Sequence, residues 1–301
     1  VSAPTAEALS GPLPQPLPRP ALRPTGPVPA RARVVAALAR GHAWATRGAQ
    51  AMPVLAALDR LLPPGLPPVA ATFAPGIGLR VDGALARGAV LAAGYEHREA
   101  ELLAGALRPG GVFLDVGANV GWFSLLVAAH RRDAAVWAVE AVPATADLLA
   151  QNVAASGLTG VEVVRVAAGR VRGTAVFTLH EDSAYAHRDG LAEDVRVPQR
   201  STGEVECPVV PLDEVWRERG APRVDAVKVD VEGAELDALA GMGELLRAHR
   251  PVLVVEAPTE DSRRAVADAV RPLGYRPREC PGVLPYNAVF CASAVSGVAE
   301  R

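Results

Sequence analysis

Thirteen residues, Val112 to Ser124 (VFLDVGANVGWFS), constrain the fold of this chain more than any other stretch. Val112, Phe113, Leu114 and Val116 form a short apolar run between Gly110-Gly111 and Gly117, the pattern of a strand buried on both faces. Gly117 and Gly121 bracket a turn with few side chains in the way, and Trp122 to Arg131 has the pattern of the helix that follows. Strand, bare turn and helix N-terminus in succession make a nucleotide cradle. The backbone can approach a ligand there, and the first helical N–H groups and the helix dipole favour an anionic group.

The residues inside the turn separate two kinds of ligand. A dinucleotide fold uses G-x-G-x-x-G so that a pyrophosphate can lie against the backbone. Here the pattern is Gly117-Ala118-Asn119-Val120-Gly121, with Asp115 two residues before the first glycine. A carboxylate at Asp115 repels a pyrophosphate and suits a cationic amine, such as the methionine end of S-adenosylmethionine. Glu140 ends the next apolar run, Val136 to Val139, where it can accept hydrogen bonds from both ribose hydroxyls. A glycine turn and acids at strand ends also occur in doubly wound domains with no such ligand, so both readings stay open on these residues alone.

A chain of 301 residues, half of them hydrophobic, is enough for one large α/β domain with an appendage. The net charge of −2 argues against a general nucleic-acid binder. Cys207, Cys280 and Cys291 are odd in number and lack C-x-x-C spacing, so free thiols are expected rather than a disulfide framework or a zinc site. No apolar run reaches the ~18 residues of a membrane span, and no basic-then-apolar leader is evident. A soluble, cytoplasmic protein is the expectation. Thirty of the 31 basic residues are arginine, which makes the single lysine, Lys228, worth locating.

Residues 1–30 carry nine prolines and no aromatic side chain, so this arm is expected to be disordered or extended. Residues 31–68 read as a helical appendage of two helices, the second opened by Pro53 and closed by Pro63-Pro64. Val69 to Ala86 alternates around Pro75-Gly76 as a hairpin does. A helix carrying Leu102, Leu103, Ala106 and Leu107 on one face then leads to the cradle, which puts Tyr95 and Glu96 one helix upstream of it. Glu96 either closes over a bound cofactor or serves as a helix N-terminal acid. After Glu140, Pro143 opens a helix that runs to about Val153, and a strand follows from Val161 to Ala167. The small residues Ala167, Ala168 and Gly169 at its end leave room for a flat ring. Residues 170–211 interrupt the rhythm with two alternating strands, Thr174 to Leu179 and Val205 to Val210. The polar stretch between them includes Ser183, Tyr185 and His187, and the insertion is expected to act as a lid that shapes the acceptor site.

A second pillar is Val224 to Leu236, VDAVKVDVEGAEL. Lys228 and Asp230 lie two apart, so they share one face of a buried strand. Burying an unpaired charge costs several kcal/mol, which predicts that the two are paired with each other or with neighbours. Glu232 and Glu235 flank Gly233 at a helix start, where the dipole favours carboxylates. Val252 to Val255 is another apolar run, and it too ends in an acid, Glu256. Asp230 and Glu256 end adjacent or near-adjacent strands, but no third ligand is evident, so no metal ligand is assigned and metal dependence is left open. A helix from Asp261 to Leu273, two closing strands and a tail from 295 to 301 complete the chain.

From about residue 69 to 294 the sequence resembles the FkbM family of S-adenosylmethionine-dependent methyltransferases. The resemblance rests on Gly94-Tyr95-Glu96, LDVGANVGWFS, Val139 to Pro143, Pro211-Leu212-Asp213, and above all VKVDVEGAE followed by Leu239 to Gly241. It implies a class I α/β fold, with a Rossmann-like seven-stranded sheet and helices on both faces, to which the residues themselves add the N-terminal helical appendage and the β-rich insertion. It also implies S-adenosyl-L-methionine as cofactor, with Asp115, Gly117, Asn119 and Gly121 holding the methionine end and Glu140 the ribose. Glu96 and Ala168 join them as cofactor-binding candidates by position, with Asp230 or Glu232 placed as base and Lys228 orienting Asp230. The expected reaction is O-methylation of a small-molecule or carrier-bound acceptor, such as a polyketide, peptide or sugar hydroxyl. N-methylation of an amide or amine, a non-catalytic cofactor-binding partner and, more remotely, a dehydrogenase are the alternatives. A homo-oligomer is left open.

Overall fold

A computed structural model describes residues 96–180 and 201–292 without a break. Outside those spans it describes 21–24, 69–74, 77–81, 187–188 and shorter pieces between 17 and 61. The second expected appendage helix, Tyr95, Ser183, Tyr185 and the tail fall outside the described residues.

The cradle strand β4 (Val112–Val116) sits inside a seven-stranded sheet. On one side lie β5 (Ala135–Val139) and β6 (Val161–Val164). On the other lie β11 (Val224–Val229), β12 (Val252–Glu256), β14 (Asn287–Ala292) and β13 (Tyr275–Arg278), in that order. β4, β5, β6, β11 and β12 are parallel, while β14 runs antiparallel to β12 and to β13. This is the class I α/β order anticipated from the sequence. The chain leaves β4 to one side and returns on the other beside it. The β4–β11 boundary is therefore the switch point, where open α/β sheets bind ligands beyond the carboxyl ends of their strands.

Alternation along each strand divides the core in two. Phe113, Val136, Ala226, Val252 and Val254 face α1 (His97–Ala106) and α2 (Trp122–His130). Leu114, Trp137, Val227, Leu253 and Val255 face α4 (Leu212–Glu218), α5 (Glu235–Ala240), α6 (Gly243–His249) and α7 (Glu260–Val270). Buried on both faces, these strands have no polar side, which is why they read as continuous apolar runs. α3 (Pro143–Ser156) packs Leu149 against Ala118 and Ala138, and Gly157 closes it at φ 62°.

Two contacts hold the cradle strand in place from outside. Asp225, with no exposed surface, accepts from the Arg108 backbone N at 3.0 Å and from Arg108 Nε at 2.8 Å. A Cβ on Gly111 would lie 1.9 Å from Asp225 Oδ2, so the loop before β4 passes this carboxylate only as glycine. The motif Pro211-Leu212-Asp213 is structural as well. Both Asp213 carboxylate oxygens accept from backbone amides at the start of α6, Glu244 N and Leu245 N, each at 2.9 Å. A Cβ on Gly241 would lie 2.0 Å from the Gly169 carbonyl oxygen, which accounts for the glycine after Leu239.

Within the arm, Ala21–Pro24 forms β1, antiparallel to β2 (Val69–Ala74). As an outer strand of that small sheet it tolerates a proline at its end. The expected strand Val161 to Ala167 stops at Val164. Ala167–Ala168 forms β7 in a second sheet, parallel to β10 (Ser201–Val210). Ala168 then packs in the cluster of Leu212 and Leu239, and it is Ala167 that joins Val142, the residue two beyond Glu140. β8 (Gly173–His180) and β10 pair antiparallel as expected, and β9 (His187–Arg188) pairs antiparallel with the other edge of β8. The hairpin of β2 and β3 (Ile77–Val81) is also as expected. It packs Phe73 edge-on to Trp122, the first residue of α2, with ring centroids 5.5 Å apart. Within the appendage, Ala32 to Val35 is helical, with Ala32 and Val35 buried.

Candidate functional site

The candidate site is assembled at the carboxyl ends of β4, β5, β11 and β12. Asp115 and Lys228 are opposite each other in the β4–β11 ladder and so share a face of the sheet. The Asp230 backbone N donates to the Val116 carbonyl at 2.9 Å, which carries β11 one residue past its regular end and brings Asp230 against the turn. A Cβ on Gly117 would lie 1.7 Å from the Asp230 carbonyl oxygen, and one on Gly121 would lie 2.6 Å from Leu149 Cδ1. Both glycines sit at positive φ, 82° and 98°. Their smallness thus serves the approach of β11 and α3, beyond the bare backbone a ligand would need.

Glu140 shapes the turn. Its two oxygens accept from Asn119 N at 3.0 Å and Val142 N at 2.9 Å, and Asn119 adopts a left-handed conformation at φ 50°. Each oxygen keeps a further lone pair. Burial raises the Glu140 pKa to about 7, against backbone hydrogen bonds from Val142, Asn119 and Ala141 that lower it. Asp115 accepts from Ser124 Oγ at 2.6 Å through Oδ2. Among the described residues, Asp115 Oδ1 and Asn119 Oδ1 are buried acceptors with no donor. Two orphaned oxygens beside a cradle of positive-φ residues fit the ammonium-bearing end of S-adenosylmethionine, and Glu140 fits a pair of hydroxyls.

Lys228 lies beneath this turn. It is 2% exposed, donates from Nζ to Asp230 Oδ2 at 2.5 Å and stands 4.6 Å from the Phe123 ring centroid. Burial opposes its charge, but Asp230, Glu96 and Asp115 together raise its pKa. Burial likewise opposes the charge of Asp230, and Lys228 more than offsets it, so the Asp230 carboxyl is held below its ordinary range. The charged pair expected from the sequence is therefore present.

Glu96 approaches from the N-terminus of α1 at φ 47° and is buried. Asn287 Nδ2 donates to Glu96 Oε1 at 3.1 Å and to Glu99 Oε1 at 3.2 Å, and Leu284 N donates to Glu99 Oε1 at 2.6 Å. Burial raises the Glu96 pKa to about 8, and Lys228 opposes the rise. Glu99 and Asn287 were not singled out in the sequence, since an acid in a first helical turn and an asparagine at a strand start are both ordinary there.

The carboxylates beyond β11 group differently from the expectation. Glu235 Oε1 accepts from Val231 N at 3.2 Å and Gly233 N at 3.1 Å, turning back to hold its own loop. Instead, the carboxylates of Asp230, Glu232 and Glu256 lie together, with one oxygen of each within 4.8 Å of the others. Glu232 is the third group near Asp230 and Glu256 that was not evident from sequence. Burial, then Asp230 and Glu232, raises the Glu256 pKa to about 10. The signal for Glu256 was its position at the end of an apolar run, which gains meaning only once β12 is known to adjoin β11. Of the sequence candidates, Asp115, Gly117, Asn119, Gly121, Glu140, Glu96, Lys228, Asp230 and Glu232 surround the β4–β11 switch point. Ala168 belongs to the second sheet.

The sequence model of the methyltransferase FkbM domain matches residues 115–277, a little over half of the chain. Methyltransferase sdnD of Sordaria araneosa is 30% identical over 189 residues, covering 55% of this chain and 68% of that protein. The 31-O-demethyl-FK506 methyltransferase FkbM of Streptomyces tacrolimicus is 32% identical over 161 residues, 45% of this chain and 61% of that enzyme. Among solved structures, a methyltransferase FkbM from Methylobacillus flagellatus KT aligns with a TM-score of 0.43 at 17% identity, covering 61% of this chain and 44% of that one.

Proposed function

The chain belongs to the methyltransferase FkbM domain family, and from that premise we propose that it methylates a hydroxyl oxygen of a small or carrier-bound specialised metabolite, with Asp230 as the base. The observation that carries this reading is the pairing of the buried Lys228 with the partly exposed Asp230, which keeps a carboxylate ionised beside the cradle at the switch point. The name of the Streptomyces relative, a methyltransferase of a 31-O-demethyl substrate, supports oxygen as the acceptor atom.

S-adenosylmethionine, when bound, supplies a methyl group on a sulfonium whose carbon–sulfur electron pair departs with sulfur. Asp115 Oδ1 and Asn119 Oδ1 would accept from its ammonium, Glu96 would add negative charge at the same end, and Glu140 would accept from the ribose hydroxyls. Gly117 and Gly121 hold the turn that presents these groups. Ala167, which packs with Val142 two residues beyond Glu140, would offer a small side chain beside the adenine ring.

The chain has two tasks for the acceptor. Alignment contributes much of the acceleration, with the oxygen held about 3 Å from the methyl carbon. Asp230 then receives the hydroxyl proton as that oxygen bonds to carbon, so no free alkoxide has to form. Lys228 holds Asp230 Oδ2 and leaves Oδ1 for the proton. Glu232, on a left-handed backbone at φ 51°, stands next to Asp230 and is the second candidate for the same role.

Calorimetric titration with S-adenosylmethionine, S-adenosylhomocysteine and NAD tests the first half of the proposal. Binding of the first two is expected, with loss in Asp115→Ala and Glu140→Ala, and binding of NAD alone would overturn it. Mass spectrometry of candidate hydroxyl acceptors tests the second half. The base assignment is wrong if Asp230→Asn and Glu232→Gln both turn over as the parent does.

A further inference from the structure

Glu256 has no role in the chemistry described so far, yet its surroundings are unusual for a carboxylate. In the β11–β12 ladder Val229 pairs with Val255, which brings the next residues, Asp230 and Glu256, side by side beyond the strand ends. On its other side the β12–β14 ladder pairs Glu256 with Asn287. The Asn287 amide nitrogen is engaged by Glu96 and Glu99, and its Oδ1, in a side chain over nine-tenths buried, has no donor among the described residues. Glu256 is therefore flanked by acceptors, the Asp230 carboxylate and the Asn287 carbonyl. The acids Glu232 and Glu235 stand close enough to act on it electrostatically. Lys228, the cation of the group, already bonds to Asp230. A carboxyl among acceptors is stabilised as a donor, which requires that it keep its proton.

We propose that Glu256 is a positioning residue that stays protonated and donates its hydrogen bond to the Asp230 carboxylate, so that the pair holds one proton and Asp230 alone carries the charge. Two carboxyls at this separation resist ionising together. Lys228 decides which one ionises, because it bonds Asp230 directly. Held by an ammonium and by a neutral carboxyl, Asp230 presents one oxygen in a defined direction to an acceptor hydroxyl. The acceptor's proton bonds to that oxygen and the O–H electron pair remains on the acceptor's oxygen. The pair then holds two protons until Asp230, which is 26% exposed, returns one to water. The elevated pKa of Glu256 agrees with this arrangement.

The inference rests on Asp230 being the base, but its test needs no acceptor. The full chain would be labelled with ¹³C at its Glu and Asp side-chain carboxyls, with Glu256 and Asp230 assigned by the signals lost in Glu256→Gln and Asp230→Asn. The Glu256 signal is expected to keep the shift of a neutral carboxyl at neutral pH, far above the ordinary glutamate value of about 4.3. Asp230 should titrate at the same acidic pH in the parent and in Glu256→Gln, which keeps a neutral donor. In Glu256→Leu, which has none, it should titrate roughly one pH unit higher. An ionised Glu256 at neutral pH, or an Asp230 titration unmoved by Glu256→Leu, would overturn the proposal. So would joint broadening of the Asp230, Glu232 and Glu256 signals on adding Mn²⁺ to the parent, since the group would then bridge a cation. Titration of the same samples with S-adenosylmethionine separates the two readings. Absent binding with a neutral Glu256 defeats the methyltransferase reading alone, and binding with an ionised Glu256 defeats only the proton-sharing pair.

Discussion

Lys228 Nζ and Asp230 Oδ2 are joined at 2.5 Å by residues two apart on β11, and the lysine has only 2% of its surface exposed. Removing the cation leaves Asp230, Asp115 and Glu96 as neighbouring carboxyls with no counter-charge from this side chain. Lys228→Met should cost about 3–5 kcal/mol at neutral pH, the range for breaking a buried pair. The sign with pH follows from Asp230, whose native pKa is lowered. Its contribution is complete above the unfolded value of about 3.9 and is lost as pH falls through the lower native one. The gap between parent and variant should therefore narrow in acid. Urea unfolding at neutral and acidic pH measures it, and equal midpoints at neutral pH would contradict the ion-pair account.

Cofactor affinity should rise with pH through the neutral range. Glu140 and Glu96 have pKa values raised to about 7 and about 8, chiefly by burial, and a ligand bringing hydroxyl donors and positive charge favours their ionised forms. Binding near neutral pH should then release protons. Calorimetry in two buffers of different ionisation enthalpy reads that release directly. Glu140→Gln should release fewer protons than the parent, and an identical release would remove Glu140 from the linkage.

Gly117 and Gly110 both have positive φ, 82° and 70°, but they differ in what surrounds them. A Cβ at Gly110 meets nothing within 4 Å, whereas at Gly117 it would lie 1.7 Å from the Asp230 carbonyl oxygen. Gly110→Ala should cost about 1 kcal/mol from backbone conformation alone. Gly117→Ala should cost more, at least ~2 kcal/mol, and should also weaken S-adenosylmethionine binding, because β11 must move away from the turn. Thermal unfolding of the two variants side by side gives the comparison. Equal losses would mean that the β4–β11 approach is not tight.

Asp225 makes a similar link one layer below, holding the Arg108 backbone and side chain before β4. Its partner guanidinium is 30% exposed and would be solvated if released. Asp225→Ala should thus cost about 2–3 kcal/mol, the loss of charge-assisted hydrogen bonds from a buried acceptor, without the full penalty of a stranded buried cation. Chemical denaturation checks the magnitude. A loss below ~0.5 kcal/mol would show that the loop is held by other means.

Much of the framework was legible because the signals are local. Apolar runs located β4, β5, β11 and β12, and Pro143 and Gly157 bounded α3. Two-residue spacing alone put Lys228 and Asp230 on one face. The sequence ran one strand from Val161 to Ala167, since the bend after Val164 depends on β10 capturing Ala167 and Ala168 into a second sheet. It also grouped Glu235 with Asp230, although that carboxylate turns back onto the Val231 and Gly233 amides.

By itself the sequence determined the strands, the glycine turn and the pairing of its one lysine, because each follows from spacing along a few consecutive residues. Only the tertiary structure decided that Asp230 and Asn287 flank Glu256 and that Glu99 lies buried beside Glu96. These residues are far apart in the chain. They meet because β11, β12 and β14 are neighbours in one sheet, and strand adjacency is set by the packing of both sheet faces rather than by any pattern within a single strand.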